Sequence, residues 1–209
     1  MFLDIWRQYC LIPVVNCMCP DKRVRVIIVT DGDSTAQQAV KIAAQELKLY
    51  PLILSTLDAD RIKGPEITSY ILQAPREPVI VMVDDHGIKG TGPGEEIICY
   101  LMSQVDKSKI LGVVAVASQT RVKGVAVDCS ITADGRKIEY LAVDKDGIPI
   151  PGEFYLKGDT VEILTRYPEV MVVGCGDPGK MAGFDSLERG AAVTRRCLEY
   201  ILQGGGKLE

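Results

Sequence analysis

The sequence lacks an excess of positive charge, and this absence narrows the classes of partner that it can have. Its 209 residues include 24 Lys and Arg against 28 Asp and Glu, which gives a formal net charge of -4 at pH 7. Proteins that bind nucleic acids through the phosphate backbone usually carry a basic excess. We therefore expect no nucleic-acid partner.

Long hydrophobic runs are also missing. A transmembrane helix needs about 20 predominantly apolar residues in succession, and the longest wholly apolar stretch, around residues 110–117, is far shorter. Residues 1–20 lack the basic start of a secretory signal, and Pro13 interrupts them. We therefore expect an intracellular protein without a transmembrane segment.

The sequence lacks cysteines and histidines at the spacing of a zinc site. The chain contains one histidine and seven cysteines. Cys17 and Cys19 form a C-x-C pair, but no second pair lies at the spacing that a structural zinc site requires. An odd number of cysteines in an intracellular protein is typical of reduced thiols. The sequence therefore predicts neither a zinc site nor a disulfide framework.

What the sequence does contain is a regular alternation of strand and helix patterns between residues 24 and 118. Nearly unbroken runs of β-branched and other apolar residues are typical of strands that are buried on both faces of a parallel sheet. Helical segments with one apolar face separate these runs, and prolines stand near the start of two of them. This order predicts an α/β fold with an open, mostly parallel sheet and flanking helices. The predicted strands are residues 24–30, 51–55, 78–83 and 110–118, and the predicted helices are residues 31–49, 64–74 and 92–104.

The pattern changes after residue 118. Two strand-like runs flank Asp134 and Gly135, a pair that favours a tight antiparallel hairpin. We predict further strands at residues 160–164 and 169–174, and a closing helix over residues 186–203. The expected organisation is an N-terminal extension (1–22), an α/β domain (23–118), and antiparallel strands with the C-terminal helix (119–209), packed together as one compact unit.

Five polar residues follow two of the predicted strands: Asp31, Asp33, Asp84, Asp85 and His86. Ligands of open parallel sheets bind beyond the carboxyl ends of the strands, where the strand order reverses. If the first and third strands are neighbours, these acids converge on one crevice. Carboxylate oxygens are the ligands that Mg²⁺ and Ca²⁺ prefer, so the crevice is a candidate ligand or metal site.

Turn and capping chemistry is the alternative interpretation of the same residues. Asp and Gly at a strand end turn the chain and cap the next helix. Ser34 with Gln37 three residues later forms the pattern of a capping box, which assigns the capping role to Ser34. A lone histidine such as His86 is more often a hydrogen-bonded structural residue than a general base. Both interpretations remain open at the level of the sequence.

Two glycine-rich loops are the other candidates. Glycines before the third helix let backbone N–H groups approach an anion, although the Lys-Ser/Thr ending of a nucleotide-binding P-loop is absent. The later stretch "GCGDPG" matches G-x-G-x-x-G, but the strand that a dinucleotide-binding fold places after the following helix is absent. We expect this second loop to line a binding surface. The candidate loop residues are Gly87, Gly90, Gly92, Gly94, Gly176, Asp177, Gly179, Lys180 and Asp185.

Several separated stretches together resemble the stage V sporulation protein AE family. They are "VIIVTDGDSTAQQAV", "VIVMVDDHGIKGTGPGE", "LGVVAVAS" and "GDPGKMAGFDSLERGAAVTRR", and the resemblance extends from about Arg23 to Leu202. It implies a soluble, non-enzymatic accessory of the apparatus that transports dipicolinic acid, as calcium dipicolinate, in spore formation and germination. The implied partners are the other spore dipicolinate-transport (SpoVA) proteins. The implied location is peripheral, at the spore inner membrane of the sporulating cell, and homo-oligomerisation is left open.

The strand-end acids also resemble those of the topoisomerase-primase (toprim) module. That module holds Mg²⁺ for phosphoryl transfer with one acid after the first strand and an Asp pair after a later one. Asp31 stands where the module has glutamate, and a misplacement of about 1 Å can cost roughly two orders of magnitude in rate. This departure favours a toprim-like architecture without the chemistry, and no cofactor is required. A Mg²⁺-dependent phosphoryl-transfer enzyme and a small-ligand sensor that closes on dipicolinate or phosphate are the alternatives.

Overall fold

A computed structural model describes residues 24–30, 32–54, 62, 64–83, 92–104 and 108–204. Six of the candidate residues lie outside the described residues, and their predicted roles stay predictions: Asp31, Asp84, Asp85, His86, Gly87 and Gly90. The remaining candidates are all described.

The first half of the chain alternates strands and helices as the sequence pattern predicts. The helix Pro93–Ser103 begins at a proline, which fits the first turn of a helix because that position needs no intrahelical N–H bond. The elements in order are β1 (Val24–Thr30), α1 (Ser34–Glu46), β2 (Tyr50–Leu54), α2 (Gly64–Gln73), β3 (Val79–Val83), α3 (Pro93–Ser103) and β4 (Ser108–Val116).

Short strands and one long helix form the second half. The chain there has three 3₁₀ turns, at Glu162–Arg166, Met181–Gly183 and Leu187–Arg189. The other elements are β5 (Val125–Ala126), β6 (Cys129–Ile131), β7 (Lys137–Glu139), β8 (Tyr155–Leu156), β9 (Val172–Cys175) and α4 (Ala192–Leu202).

Seven of these strands form a single sheet in the order β2-β3-β1-β4-β9-β6-β7. Every neighbouring pair is parallel except β6 and β7, which are antiparallel. The remaining strands, β5 and β8, form a separate two-stranded antiparallel sheet. The predicted fold class, a mostly parallel α/β sheet with antiparallel strands in the C-terminal half, is therefore confirmed.

The strand order reverses between β1 and β3. These two strands are parallel neighbours, and their last residues, Thr30 and Val83, are paired in the register. The helices that follow them pack on opposite faces of the sheet, because α1 belongs to one apolar cluster and α3 to the other. The carboxyl ends of β1 and β3 therefore border the crevice in which ligands of such sheets usually bind.

Alternation along β1 explains the two faces. Ile27 and Val29 are buried against α1 and α4, whereas Val26 and Ile28 are buried against α2 and α3. A strand covered by helices on both faces has no polar side, which accounts for its continuous apolar sequence.

Both edges of the sheet carry features that oppose further strand pairing. The edge strand β2 contains Pro51, which has no backbone N–H to donate. At the other edge, β7 has only three residues, and an ion pair joins Lys137 to Glu139.

Two predictions for the second half are wrong. Residues 160–164 were predicted to be a strand. Instead, residues 162–166 form a 3₁₀ turn, and two of its residues, Ile163 and Leu164, are buried. Thr160 has a φ of 62°, a left-handed conformation that a strand does not allow. The closing helix begins at residue 192 instead of 186, because Gly190 and Ala191 both have left-handed backbone angles and interrupt the helical path.

Candidate functional site

The described part of the crevice begins with Asp33, directly after β1. Asp33 is the N-cap of α1, and its Oδ1 accepts hydrogen bonds from the N–H groups of Thr35 at 3.0 Å and Ala36 at 3.1 Å. The assignment of the capping role to Ser34 is therefore wrong. Asp33 has the extended backbone of an N-cap, with φ -70° and ψ -173°, whereas Ser34 is already the first helical residue.

Lys180 approaches the same carboxylate from the loop that follows β9. Its Nζ lies 2.8 Å from Asp33 Oδ2 and 2.8 Å from Asp177 Oδ2. One ammonium group therefore joins two candidate acids that stand 144 positions apart in the chain. The structure brings Asp33, Asp177 and Lys180 together, as three members of the predicted set.

The protonation of this cluster follows from its contacts. Partial burial raises the pKa of Asp33, but the hydrogen bond from Lys180, the backbone donors and the Lys180 charge outweigh it, so the pKa is lowered overall. Burial lowers the pKa of Lys180, while its bonds to Asp177 and Asp33 raise it above its ordinary value. Both groups are therefore charged at neutral pH, as an ion pair.

The loop after β9, residues 176–191, packs against the start of α1. Gly179 has a φ of 78°, and a Cβ at this position would lie 2.9 Å from Thr35 Cγ2 and 3.0 Å from the Thr35 carbonyl oxygen. A side chain does not fit there. The loop after β9 is also bonded to the segment between β7 and β8, because Asp177 N donates to the carbonyl oxygen of Lys145 at 2.7 Å.

Asp185 fixes the other end of this loop. The residue is completely buried. Its carboxylate accepts from Gly179 N at 2.8 Å, Val193 N at 2.7 Å, Thr194 N at 3.0 Å and Thr194 Oγ1 at 2.6 Å. A buried carboxylate is stable only when its oxygens are satisfied in this way. Asp185 therefore joins the loop to the first turn of α4.

Of the candidate glycines before α3, the structure describes Gly92 and Gly94. Gly92 is the N-cap of α3, and its N–H donates to Glu95 Oε2 at 2.9 Å, which is the half of a capping box that a glycine can form. Gly94 lies inside the first turn and is buried. The Glu95 side chain therefore already accepts the Gly92 N–H at the start of α3. The start of the helix explains both glycines without an anion site.

The described polar side chains of the crevice hold its loops together through hydrogen bonds and ion pairs. Within the described ranges, no three His, Cys, Asp or Glu residues converge in a way that could hold a metal ion. The two described acids nearest the crevice, Asp33 and Asp177, already share Lys180. The part of the crevice that residues 84–91 would form lies outside the described residues.

Sequence reasoning missed two threonines that organise this region. Thr30, buried at the end of β1, accepts a hydrogen bond from Val116 N at 3.0 Å and so joins the ends of β1 and β4. Thr194 completes the hydrogen bonding of Asp185. A threonine at the polar end of an apolar strand is a weak signal, and nothing in the local sequence connects Thr194 with an acid nine residues before it.

Comparison with protein families gives a match over most of the chain. Residues 25–204 match the family described as Stage V sporulation protein AE1. Neither the curated proteins nor the solved structures give a significant match. None of the described helices has the length and the apolar character needed to cross a membrane. Because the match includes nearly all of the sheet and its helices, the chain belongs to the stage V sporulation protein AE family.

Proposed function

We propose that this sporulation-associated protein is a non-enzymatic accessory of the apparatus that moves dipicolinic acid into the forming spore and releases it at germination. The observation that carries the proposal is the family match over residues 25–204. The proposed partners are the other SpoVA proteins, and the proposed location is peripheral, at the spore inner membrane.

The state of the described acids supports a role without catalysis. A carboxylate that binds Mg²⁺ in a phosphoryl-transfer enzyme needs free oxygen lone pairs directed into the crevice. Asp33 uses Oδ1 to cap α1 and Oδ2 to pair with Lys180. These contacts give Asp33 a structural task, whereas the acid in the toprim position, Asp31, lies outside the described residues.

Genetic replacement and co-purification test the proposal. In an endospore-forming host that encodes this chain, we expect its deletion to reduce the dipicolinic acid content of the spores or to slow its release at germination. A tagged copy should recover the SpoVA membrane proteins from spore membrane extracts. A copy without residues 1–22 is the informative variant, because the family match begins only at residue 25. Normal dipicolinic acid content and release, together with no recovery of these partners, would contradict the proposal.

A Mg²⁺-dependent phosphoryl-transfer enzyme is the second candidate. The specific observation that favours it is the parallel pairing of Thr30 with Val83, which makes the ends of β1 and β3 adjacent. If this candidate is right, titration with Mg²⁺ or Mn²⁺ should raise the thermal midpoint by mass action, and Asp84→Asn should abolish the shift. An unchanged midpoint at saturating metal would remove this candidate without affecting the first.

A further inference from the structure

A cleft lies beside α4, and its lining includes neither Asp33 nor Lys180. It is bounded by the β6–β7 turn (residues 133–135), by Phe184 and Arg189 of the loop before α4, and by the first two turns of α4. Its volume is about 380 Å³. Pockets for small ligands begin at about 300 Å³, so the cleft is large enough for a compact organic molecule.

The charges around the cleft are unequal. Its lining includes Arg189, Arg195 and Arg196 but only two carboxylates, Asp134 and Glu199. Asp134 is already paired outside the cleft lining, because Arg136 Nε lies 2.7 Å from its Oδ2. This local positive charge stands out in a chain whose net charge is -4.

Two of the arginines have no carboxylate partner among the residues that the structure describes. Arg195 forms an ion pair with Glu199 at 3.5 Å. Within the described part of the chain, neither Arg189 nor Arg196 forms an ion pair, and the buried Nε of Arg196 has no hydrogen-bond acceptor. A guanidinium offers paired N–H donors that match the oxygens of a carboxylate or phosphate.

An aromatic ring stands beside these charges. The Phe184 side chain is half-exposed, and the Arg189 guanidinium lies over its ring at 6.0 Å from the centroid. The Phe184 ring therefore offers a flat apolar surface next to the positive charge of Arg189. A planar molecule with an anionic group has matching properties.

The walls of the cleft are fixed before any ligand arrives. The buried Asp185 carboxylate binds the N–H groups of Val193 and Thr194 and so holds the loop containing Phe184 against α4. On the other wall, Gly135 lies against Arg196, since a Cβ at this glycine would be 3.6 Å from Arg196 Cδ. A preformed site loses less conformational entropy when a ligand binds.

We propose that this cleft binds a small organic anion of the carboxylate or phosphate class, through Arg189 and Arg196, with Phe184 as the apolar wall. The site is separate from the acids after β1, and the inference does not depend on the proposed accessory function. It assigns roles to Phe184, Arg189 and Arg196, which are not among the candidate site residues named from the sequence.

Titration of the full chain, followed by backbone amide NMR, tests the site. The probes are benzoate, acetate and inorganic phosphate, each as the sodium salt at constant ionic strength. We expect saturable shifts at Gly135 and at the first two turns of α4, with benzoate binding more tightly than acetate if the ring contributes. Phosphate binding without benzoate binding would assign the ligand to the phosphate class.

Matched variants distinguish the site from general attraction of anions. The double variant Arg189→Gln with Arg196→Gln should weaken binding at least about tenfold, because it removes both unpaired guanidinium groups. The control Arg121→Gln, an exposed arginine elsewhere on the chain, should leave the affinity within about twofold. Phe184→Leu should reduce the preference for benzoate over acetate.

Three results would overturn the inference. They are the absence of saturable binding of every probe up to about 10 mM, an unchanged affinity in the double variant, and an equal loss in Arg121→Gln. Circular dichroism of each variant checks that the fold is retained. If the double variant does not fold, Arg189→Gln alone decides, since this side chain is exposed.

Discussion

Two aspartates cap the two helices that cover one face of the sheet, and they do so in opposite environments. Asp33 precedes α1, and its side chain is 52% exposed and paired with Lys180. Asp185 serves α4 from a position that is completely buried, with four hydrogen bonds from N–H and O–H groups. No lysine or arginine is among its hydrogen-bond partners in the described residues.

The two aspartates show that burial determines how many hydrogen-bond donors a carboxylate needs. An exposed carboxylate retains access to water, so it can share a cation and still exchange partners. A buried carboxylate has lost its hydration and depends on fixed donors for the whole of its stabilisation. Asp185 therefore depends on fixed donors, whereas Asp33 is stabilised by water as well as by its cap bonds and Lys180.

The largest expected effect is that of removing the buried carboxylate. Asp185→Ala leaves the N–H groups of Gly179, Val193 and Thr194 without their acceptor. Buried unsatisfied donors cost about 1–3 kcal/mol each, and partial relaxation leads us to expect a loss of about 3–5 kcal/mol. Chemical denaturation measures this change.

Asp146→Ala is the matched control for this variant. Its carboxylate forms an ion pair with Lys145 at 3.2 Å and is 40% exposed. The substitution should change the free energy of unfolding by no more than about 0.5 kcal/mol. Equal effects of the two variants would show that burial does not distinguish the two kinds of carboxylate.

The next effect concerns the hydroxyl group that completes the Asp185 site. Thr194→Val keeps the shape of the side chain but removes the donor at 2.6 Å from Asp185 Oδ2, and we expect a loss of about 1–2 kcal/mol. Thr68→Val is the control, because the buried Thr68 hydroxyl has no hydrogen-bond partner among the described residues. Thr68→Val should be neutral or stabilising. Thermal or chemical unfolding of both variants tests this difference in sign.

Removal of the exposed cap should cost less. Asp33→Ala should destabilise the protein by about 1 kcal/mol, the usual contribution of an N-cap side chain. Asp33→Asn keeps the cap and removes the charge. Because the folded-state pKa of Asp33 lies below 3.8, its ionic contribution is present above that value and is lost as the pH falls through the lowered pKa. The stability difference between wild type and Asp33→Asn should therefore shrink below about pH 4, and a constant difference would contradict this assignment.

The smallest effect is expected for the exposed ion pair. Lys180→Gln should cost less than about 1 kcal/mol, and the cost should decrease at high salt. Its specific signature is the pKa of Asp33, which should rise toward its ordinary value when the ammonium is removed. Arg25→Gln is the control, since this half-exposed arginine pairs with Glu77 and lies at the start of β1, the end opposite to Asp33. NMR titration that leaves the pKa of Asp33 unchanged would disprove the coupling.

The parallel part of the fold could be predicted because its causes are local. Each buried strand requires a continuous apolar run, and each helix begins with a recognisable residue such as Pro93. The N-cap of α1 could not be predicted from the sequence, because Asp33 and Ser34 are both good N-cap residues and only the backbone angles distinguish them.

The role of the loop after β9 could not be predicted because its causes are not local. Lys180 meets an acid 147 positions away, and Asp185 binds amides eight and nine positions later only because the intervening chain turns back on itself. The chain turns back because Met181, Ala182 and Ala191 have left-handed backbone angles. Methionine and alanine rarely adopt such angles, so the sequence does not indicate the turn. The candidate acids of residues 84 and 85 remain predictions.

Pro51 in one outermost strand and the short, ion-paired β7 in the other have a consequence for assembly. Self-association by continuing the sheet from molecule to molecule is disfavoured, because neither rim offers a long, unobstructed row of backbone donors and acceptors. A homo-oligomer would therefore join through helices and loops, and growth into fibres through paired edge strands is disfavoured.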